Sequence, residues 1–446
     1  MKAFKAYDIR GIYGKDFTKN DVYKIGRFLP SLLETKSILI GYDARLSTPE
    51  IYNALTEGIT DAGADIYDIG YSTTPMVYFA TAHYGFSASV QITASHNPKQ
   101  YNGLKLSRKN ALPVGYETGL KELEQRMGKE PLPLKAEEKG TIHKHKVKET
   151  YIAFLSSYVT DISNLNITLD CSNGMAALLV KEIFGNTPFY LYDTLDGTFP
   201  NHAPNPLEEE NVKDLEYEVK KRGSDIGVIF DGDADRVMFV DETGKFISPD
   251  LITALLAKKL LKKEKATVLH DIRTSRAVSE YIRKLGGSPF MWKVGHSYAK
   301  QKLRELDGLF GGELAGHYYF RDFYYCDSGM LACILVLDTV AELKRERKSI
   351  SEWLKEIQPY AFSGEMNFTV KRKSEAMEEL NNYFTTQFTP MAAYDFDGYR
   401  IEFTDWWFNV RSSNTEPYLR LVVEAESGKL LNQKVKLLQS IIKRFV

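Results

Sequence analysis

Cysteine is nearly missing: Cys171, Cys326 and Cys333 are the only three in 446 residues, too few and too irregularly spaced for a disulfide framework or a thiolate zinc site. A reducing compartment is expected. Net charge is also scarce, with 58 Lys and Arg against 59 Asp and Glu, so no global basic field gathers nucleic acid and any phosphate recognition has to be local. Long apolar runs are lacking too. The opening MKAFKAYDIRG has no apolar segment of signal-peptide length, and the most apolar stretch, Met330 to Leu337, is cut by Asp338 far short of a membrane span. These absences predict a cytoplasmic protein with no membrane and no nucleic-acid partner. What remains, 43% hydrophobic and 26% charged residues, is an ordinary globular composition at a length for roughly three domains.

Three segments share one layout: an apolar run ending in a polar turn with Asp, a helix-period stretch, a Gly-containing turn, and a second apolar run. They are ILIGYDARLSTPEIYNALTEGITDAGADIYDIG around Asp43, ITLDCSNGMAALLVKEIFGNTPFYLYD around Asp170, and ATVLHDIRTSRAVSEYIRKLGGSPFMWKVG around Asp271. Each reads as a βαβ unit. Recurrence at intervals of about a hundred residues is domain length, too long for a solenoid, and predicts three related α/β domains. Composition places joints at 127–146, a Pro-, Gly- and charge-mixed surface connection, near DETGKFISPD, and near IQPYAFSGE. Beyond the last, YRIEF alternates, WWFNV and YLRLVVEA read as strands, and Leu431, Val435, Leu438, Ile442 and Phe445 mark one helix face. The expected fold is therefore three homologous α/β domains, at 1–145, 146–245 and 246–360, plus a smaller α+β domain at 361–446.

Four clusters carry chemistry. In SVQITASHNPKQYNGLKL a β-rich run ends at Ala94, Ser95 and His96 follow in a turn, and Lys105 comes ten residues after Ser95. Strand ends in α/β sheets are where ligands bind, and a hydroxyl there can be exposed with an imidazole and an ammonium nearby; a capped loop with an Asx turn is the plainer alternative. In GVIFDGDADRVMFV, Asp231, Asp233 and Asp235 crowd into five residues, and a hard divalent cation relieves their repulsion. An EF-hand is excluded, because Arg236 replaces the required Gly and Val237 to Val240 form a strand where that loop must turn. A compact Mg²⁺ site with vacant positions for phosphate oxygens competes with a solvated acidic turn. In GLFGGELAGHYYF, glycines bracket Glu313 and His317, and WKVGHS puts His296 in a similar turn. In NVRSSNTEPYLRLVVEA, Arg411, Ser412, Ser413, Asn414 and Thr415 supply donors and no negative charge, with Arg420 close behind, which suits a phosphate dianion or a plain hairpin turn. Trp406 and Trp407 read as packing, and His143 with His145 as a solvated face. A transfer centre in one domain and a phosphate loop in another imply a substrate phosphorylated at one end and receiving phosphate at the other.

TASHNP, DGDADR, GELAGH and RSSNTEP, in this order and with YDIRG at the start, resemble the α-D-phosphohexomutase family, most closely its bacterial phosphomannomutase/phosphoglucomutase branch. The resemblance spans essentially the whole chain. It implies four domains around a central cleft and a reversible exchange of hexose 1-phosphate and hexose 6-phosphate through a phosphoserine at Ser95 and a hexose 1,6-bisphosphate that is both intermediate and activator. It implies Mg²⁺ on Asp231, Asp233, Asp235 and a phosphoserine oxygen. Tyr7, Arg10, His96, Lys105 and Arg236 resemble the charge-stabilising and proton-handling set, with His96 and Lys105 the acid/base candidates. Glu313 resembles the residue that holds sugar hydroxyls, with His296 and His317 in the same pocket. Arg411, Ser413, Asn414, Thr415 and Arg420 resemble the grip on the idle phosphate. Small sugar phosphates are the implied partners, and a monomer or homodimer the implied assembly.

Three positions depart from the family's usual pattern. Ala234 stands where the metal loop commonly has a second Gly, which matters only where that residue needs a positive φ. Ala315 replaces a serine of the sugar loop, removing a hydroxyl contact of about 0.5–1.5 kcal/mol and blurring hexose preference. Arg273 stands where a lysine is usual, so its role there becomes electrostatic. Rival readings are a phosphoglucosamine mutase, disfavoured by Leu314, a metal-dependent sugar phosphatase with a transient phosphoserine, and a non-catalytic sugar-phosphate binder, which needs neither Ser95 nor the aspartates. Phosphoserine must outlast contact with water, so the fourth domain is expected to close over the substrate.

Overall fold

The computed structural model describes residues 2–413 and 418–446. It has four β-sheets among the described residues. The first three repeat one arrangement. In the first, Ser37–Tyr42 lies parallel between Asp65–Tyr71 and Ala88–Ile92, and Ala88–Ile92 turns back antiparallel into Tyr101–Arg108. In the second, Ile167–Asp170 lies between Phe189–Leu191 and Ile226–Phe230, which turns back into Val237–Asp241. In the third, Thr267–Asp271 lies between Ser288–Trp292 and Phe310–Gly312, which turns back into Tyr318–Phe320. The sequence repeat thus corresponds to a repeated strand order, with helices on the crossovers as parallel strands require.

The aspartate closing each repeat's first strand has a structural cause. Asp43, Asp170 and Asp271 each accept the backbone N–H two residues on, from Arg45, Ser172 and Arg273 at 3.0, 2.7 and 2.7 Å. Each carboxylate makes an Asx-type turn at the strand's C-terminal end.

The apolar stretch noted above is a buried helix, Gly329–Arg345, wedged between the second sheet and the helix Pro249–Leu260. It is hydrophobic nearly all round because it is covered nearly all round. Asp338, which interrupts it, pairs with Lys259 at 2.5 Å and accepts from Thr160 at 2.6 Å. No helix among the described residues is long and apolar enough to cross a membrane. In the first domain, helices Lys19–Leu32 and Thr48–Asp61 cross at Gly26 and Gly58, where a Cβ on Gly58 would stand 2.3 Å from the Tyr23 carbonyl.

One hydrophobic core runs through the second and third domains and takes in the helix Thr74–His83 of the first. The fourth domain keeps a core of its own, with Trp406, Phe384 and Leu438 at its centre. It is tied to the third domain by polar contacts: Arg400 donates to the carbonyls of Ile272 and Thr274, and Arg276 to those of Phe403 and Thr404. Trp292 stacks on Phe396 at the same seam.

The 127–146 segment, expected as a surface connection, is more than that. Ile142–Lys144 adds a parallel edge strand to the first sheet beside Asp65–Tyr71. His143 is exposed, but His145 packs edge-on against Tyr84 and Phe86. Charged residues are common on edge strands, where they discourage pairing with other chains, so composition alone reads such a strand as loop.

Candidate active site

The antiparallel turn-back occurs at the same place in each repeat, and each carries one of the sequence clusters. The first holds Ser95, the second Asp231 to Arg236, the third Glu313 to His317.

Ser95 is buried at φ 49, a left-handed conformation uncommon for a residue with a Cβ. Arg45 secures it. Its guanidinium donates to the carbonyls of Ser95 and Asn97, each at 2.7 Å, and to those of Pro98 and Tyr101 at 2.8 and 3.1 Å, while its Nε holds Asp43. Sequence reading missed this residue. The signal was available in the repeat, since Asp43-x-Arg45 matches Asp271-x-Arg273.

The Ser95 hydroxyl donates to Asp231 Oδ2 at 2.7 Å and lies 3.2 Å from His96 Nδ1. Gly232 lets the two loops meet, since a Cβ there would stand 2.5 Å from the Ser95 carbonyl oxygen. Burial, then the charges of Arg236 and Arg10, hold the His96 imidazole well below its usual pKa, so it is neutral. Arg10 donates to Asn97 Oδ1 at 2.9 Å and pairs with Asp8.

Asp231, Asp233 and Asp235 are buried, and their ligand oxygens lie within 4.8 Å of one another. Asp233 Oδ1 and Asp235 Oδ1 have no hydrogen-bond partner. Burial, then repulsion from Asp233 and Asp235, pushes the Asp231 carboxyl well above the carboxylate range. Converging hard oxygens with unfilled valence fit a divalent cation of the Mg²⁺ class. Lys105 partly balances the cluster, reaching Asp233 at 2.7 Å and Asp235 at 2.5 Å. Burial works against its charge, but Asp233 and Asp235 outweigh burial and raise its pKa; the ammonium is therefore a poor base here. Thr74, at the start of its helix, adds a 2.5 Å bond to Asp233. Ala234 adopts φ 58, the condition under which its methyl costs energy: the residue that replaces the usual glycine occupies a conformation suited to glycine.

Glu313 is buried, with Oε1 accepting from the Gly295 N–H at 2.6 Å and Oε2 from the Tyr319 hydroxyl at 2.5 Å. His317 donates from Nδ1 to Asp327 at 2.8 Å, which fixes its tautomer and lets Nε2 accept from Arg236 Nε at 3.0 Å. Behind Asp327 stands Lys300, fully buried at 2.7 Å; neither was singled out from sequence. His296 begins the helix His296–Glu305, where a turn was expected, and its ring lies between Tyr7 and His317. Tyr7 donates to the Val294 carbonyl. Ala315 is half-buried in the turn between Phe310–Gly312 and Tyr318–Phe320.

In the fourth domain, Arg411 and Arg420 are direct cross-strand partners. Arg273 comes toward them from the third domain: it forks onto Asp271 and reaches Glu365 at 2.9 Å, the carboxylate that Arg420 also meets at 2.9 Å. The backbone of Ser413 donates to Tyr418. Asn414 and Thr415 lie outside the described residues.

The chain matches four family profiles described as phosphoglucomutase/phosphomannomutase: alpha/beta/alpha domain I over residues 1–133, domain II over 120–244, domain III over 248–360, and the C-terminal domain over 365–436. It is 37% identical over 444 residues to a phosphomannomutase of Escherichia coli K12, covering 95% of both chains. It is 37% identical over 453 residues to a phosphomannomutase of Methanocaldococcus jannaschii, covering 99% of this chain and 98% of that one. Among solved structures, a phosphoglucomutase/phosphomannomutase family protein of Burkholderia thailandensis superposes with a TM-score of 0.88 at 29% identity, covering 99% of this chain and 96% of that one. The open form of a Paramecium phosphoglucomutase, at 16% identity, shares the fold with a TM-score of 0.75, covering 95% of this chain and 91% of that one. Matched in every domain and along its whole length, the chain belongs to the phosphoglucomutase/phosphomannomutase family, the α-D-phosphohexomutases.

Proposed function

We propose that the protein interconverts hexose 1-phosphates and hexose 6-phosphates, of mannose and glucose, by way of a phosphorylated Ser95 and a hexose 1,6-bisphosphate. The observation that carries this reading is the Ser95 hydroxyl, buried and aimed at Asp231 at 2.7 Å, in a chain whose fourth domain pairs Arg411 with Arg420. A hydrolase has no need for the second phosphate grip.

The free hydroxyl of the sugar attacks the phosphorus on Ser95 Oγ; the new sugar O–P bond forms, the P–Oγ bond breaks, the sugar hydroxyl gives up its proton, and Ser95 Oγ takes one up as it leaves, with His96, whose Nδ1 lies 3.2 Å from Oγ, the adjacent group for this proton exchange. The bisphosphate turns round, its other phosphate returns to Ser95, and the oxygen left behind regains a proton. Arg10, Arg236 and Lys105 balance charge on the moving group, and Glu313, His296 and His317 hold the sugar, with Tyr7 behind His296. Arg411, Ser413, Asn414, Thr415 and Arg420 bind the idle phosphate whichever carbon bears it, joined by Arg273. Asp231, Asp233 and Asp235 would hold Mg²⁺ with a phosphoserine oxygen, and its chemistry there is neutralisation of phosphoryl charge. The four domains follow the sequence reading, except that Phe246–Ile247, assigned there to the third domain, pairs with Val237–Asp241 of the second sheet, and the fourth closes over the cleft.

The test combines intact mass with product analysis. Purified protein treated with hexose 1,6-bisphosphate should gain one phosphoryl group, absent from Ser95→Ala, and should convert mannose 1-phosphate and glucose 1-phosphate to their 6-phosphates while glucosamine 1-phosphate reacts poorly. Inorganic phosphate released without 6-phosphate would make it a phosphatase, and preference for the amine would make it a phosphoglucosamine mutase.

A further inference from the structure

Glu365 lies at the joint between the third and fourth domains, where the chain leaves Ala361–Phe362 and enters Met366–Thr369. Both strands pair with Tyr418–Ala425, and the interruption between them is pinned by Ser363, whose backbone N–H and Oγ engage Val423. The joint is therefore anchored on the strand that carries Arg420.

From that anchor the carboxylate bridges two domains. Oε2 meets Arg273 of the third and Oε1 meets Arg420 of the fourth, each at 2.9 Å. Arg411 stands directly across from Arg420 and 4.0 Å from Asp397. Among the described residues, three guanidiniums, of Arg273, Arg411 and Arg420, thus face three carboxylates, of Asp271, Glu365 and Asp397. Burial disfavours the Glu365 charge, but Arg273 and then Arg420 outweigh it and hold the carboxyl below its usual range. The geometry is that of an acid occupying part of an anion site.

We infer that Glu365 is the internal counter-anion of the idle-phosphate grip: a phosphate bound there must take Arg420 and Arg273 from it, and when the phosphate leaves, the carboxylate takes them back. The inference rests on the reading of Arg411 and Arg420 as that grip. An enzyme whose intermediate has to let go of the grip in every cycle gains from this exchange, because the departing phosphate leaves behind a paired site instead of bare buried cations. Uniformly tight binding would lower KM and slow reorientation. Glu365 is on this account a specificity-determining residue for release.

The experiment measures glucose 6-phosphate binding by calorimetry in a Ser95→Ala background, which prevents chemistry, together with steady-state turnover with Ser95 intact. Glu365→Gln keeps the shape and removes the charge; it should tighten binding about tenfold, as expected for deleting one like charge near a phosphate at a partly screened site, and should lower KM and kcat together. Glu365→Asp keeps the charge and should bind as the parent does. The proposal is overturned if Glu365→Gln binds more weakly, if neither binding nor kcat changes, or if Glu365→Asp tightens as much as Glu365→Gln. Arg420→Gln separates the two readings: if it binds glucose 6-phosphate as well as the parent, the phosphate grip itself has been misassigned, whatever Glu365 does.

Discussion

The hydroxyl of Ser95 reaches Asp231 Oδ2 at 2.7 Å, so an atom of the first domain is seated on a carboxylate of the second. That carboxylate shares its site with Asp233 and Asp235, whose Oδ1 atoms lack hydrogen-bond partners. Added Mg²⁺ should therefore stabilise the fold, by about 2.7 kcal/mol at a hundred times its Kd, and chelation should abolish turnover. In Asp235→Asn the thermal shift should shrink to a small fraction. A shift of the same size in that variant would put the ion elsewhere.

Ala234 sits at φ 58. A left-handed conformation costs a residue with a Cβ about 1–2 kcal/mol, and glycine's greater unfolded-state freedom returns part of that. Ala234→Gly should stabilise the protein by about 1 kcal/mol in denaturant unfolding. Unchanged or reduced stability would show that the surroundings already accommodate the methyl.

Arg45 gathers four carbonyls of the Ser95 loop. Arg45→Met leaves them and Asp43 without their buried donor, a loss of about 3–5 kcal/mol. Phosphorylation of Ser95 should fall with it, and Arg45→Lys, whose point charge cannot span the fork, should recover little. Full recovery by lysine would reduce the role to charge alone.

His270 is buried, its Nδ1 donating to the Asp271 carbonyl and its Nε2 accepting from Ser279. Burial, the leading cause, lowers its pKa to about 4. The folded value lies below the unfolded one of about 6.5, so the unfolded chain binds the extra proton between them. Stability from this group is full above about pH 6.5 and falls as the pH drops toward 4, by about 3 kcal/mol in all. His270→Gln should flatten the profile in that window, as followed by urea unfolding; an unchanged slope would assign the dependence to other groups.

Much of this was readable in the sequence because it is local. The βαβ units, the buried apolar helix and the acidic and glycine-bracketed turns each declare themselves within a few tens of consecutive residues. Arg45, Asp327, Lys300 and Glu365 do not, because each acts on a partner far along the chain: Arg45 on the Ser95 loop, Lys300 on Asp327, Glu365 on Arg273 and Arg420. A charged residue headed for a buried ion pair looks in sequence like any surface charge. The edge strand Ile142–Lys144 escaped for a related reason, since its pairing partner is distant and its composition is that of a loop.

The same turn-back in three successive sheets holds Ser95, Asp231 and Glu313. No single repeat therefore holds all three, and because one hydrophobic core runs through the second and third domains and takes in a helix of the first, a repeat excised from the chain would lose part of its core along with its partners. The arrangement depends on how the repeats dock as strongly as on any residue within them, since Ser95 meets Asp231 and Arg236 meets His317 only across the seams between repeats.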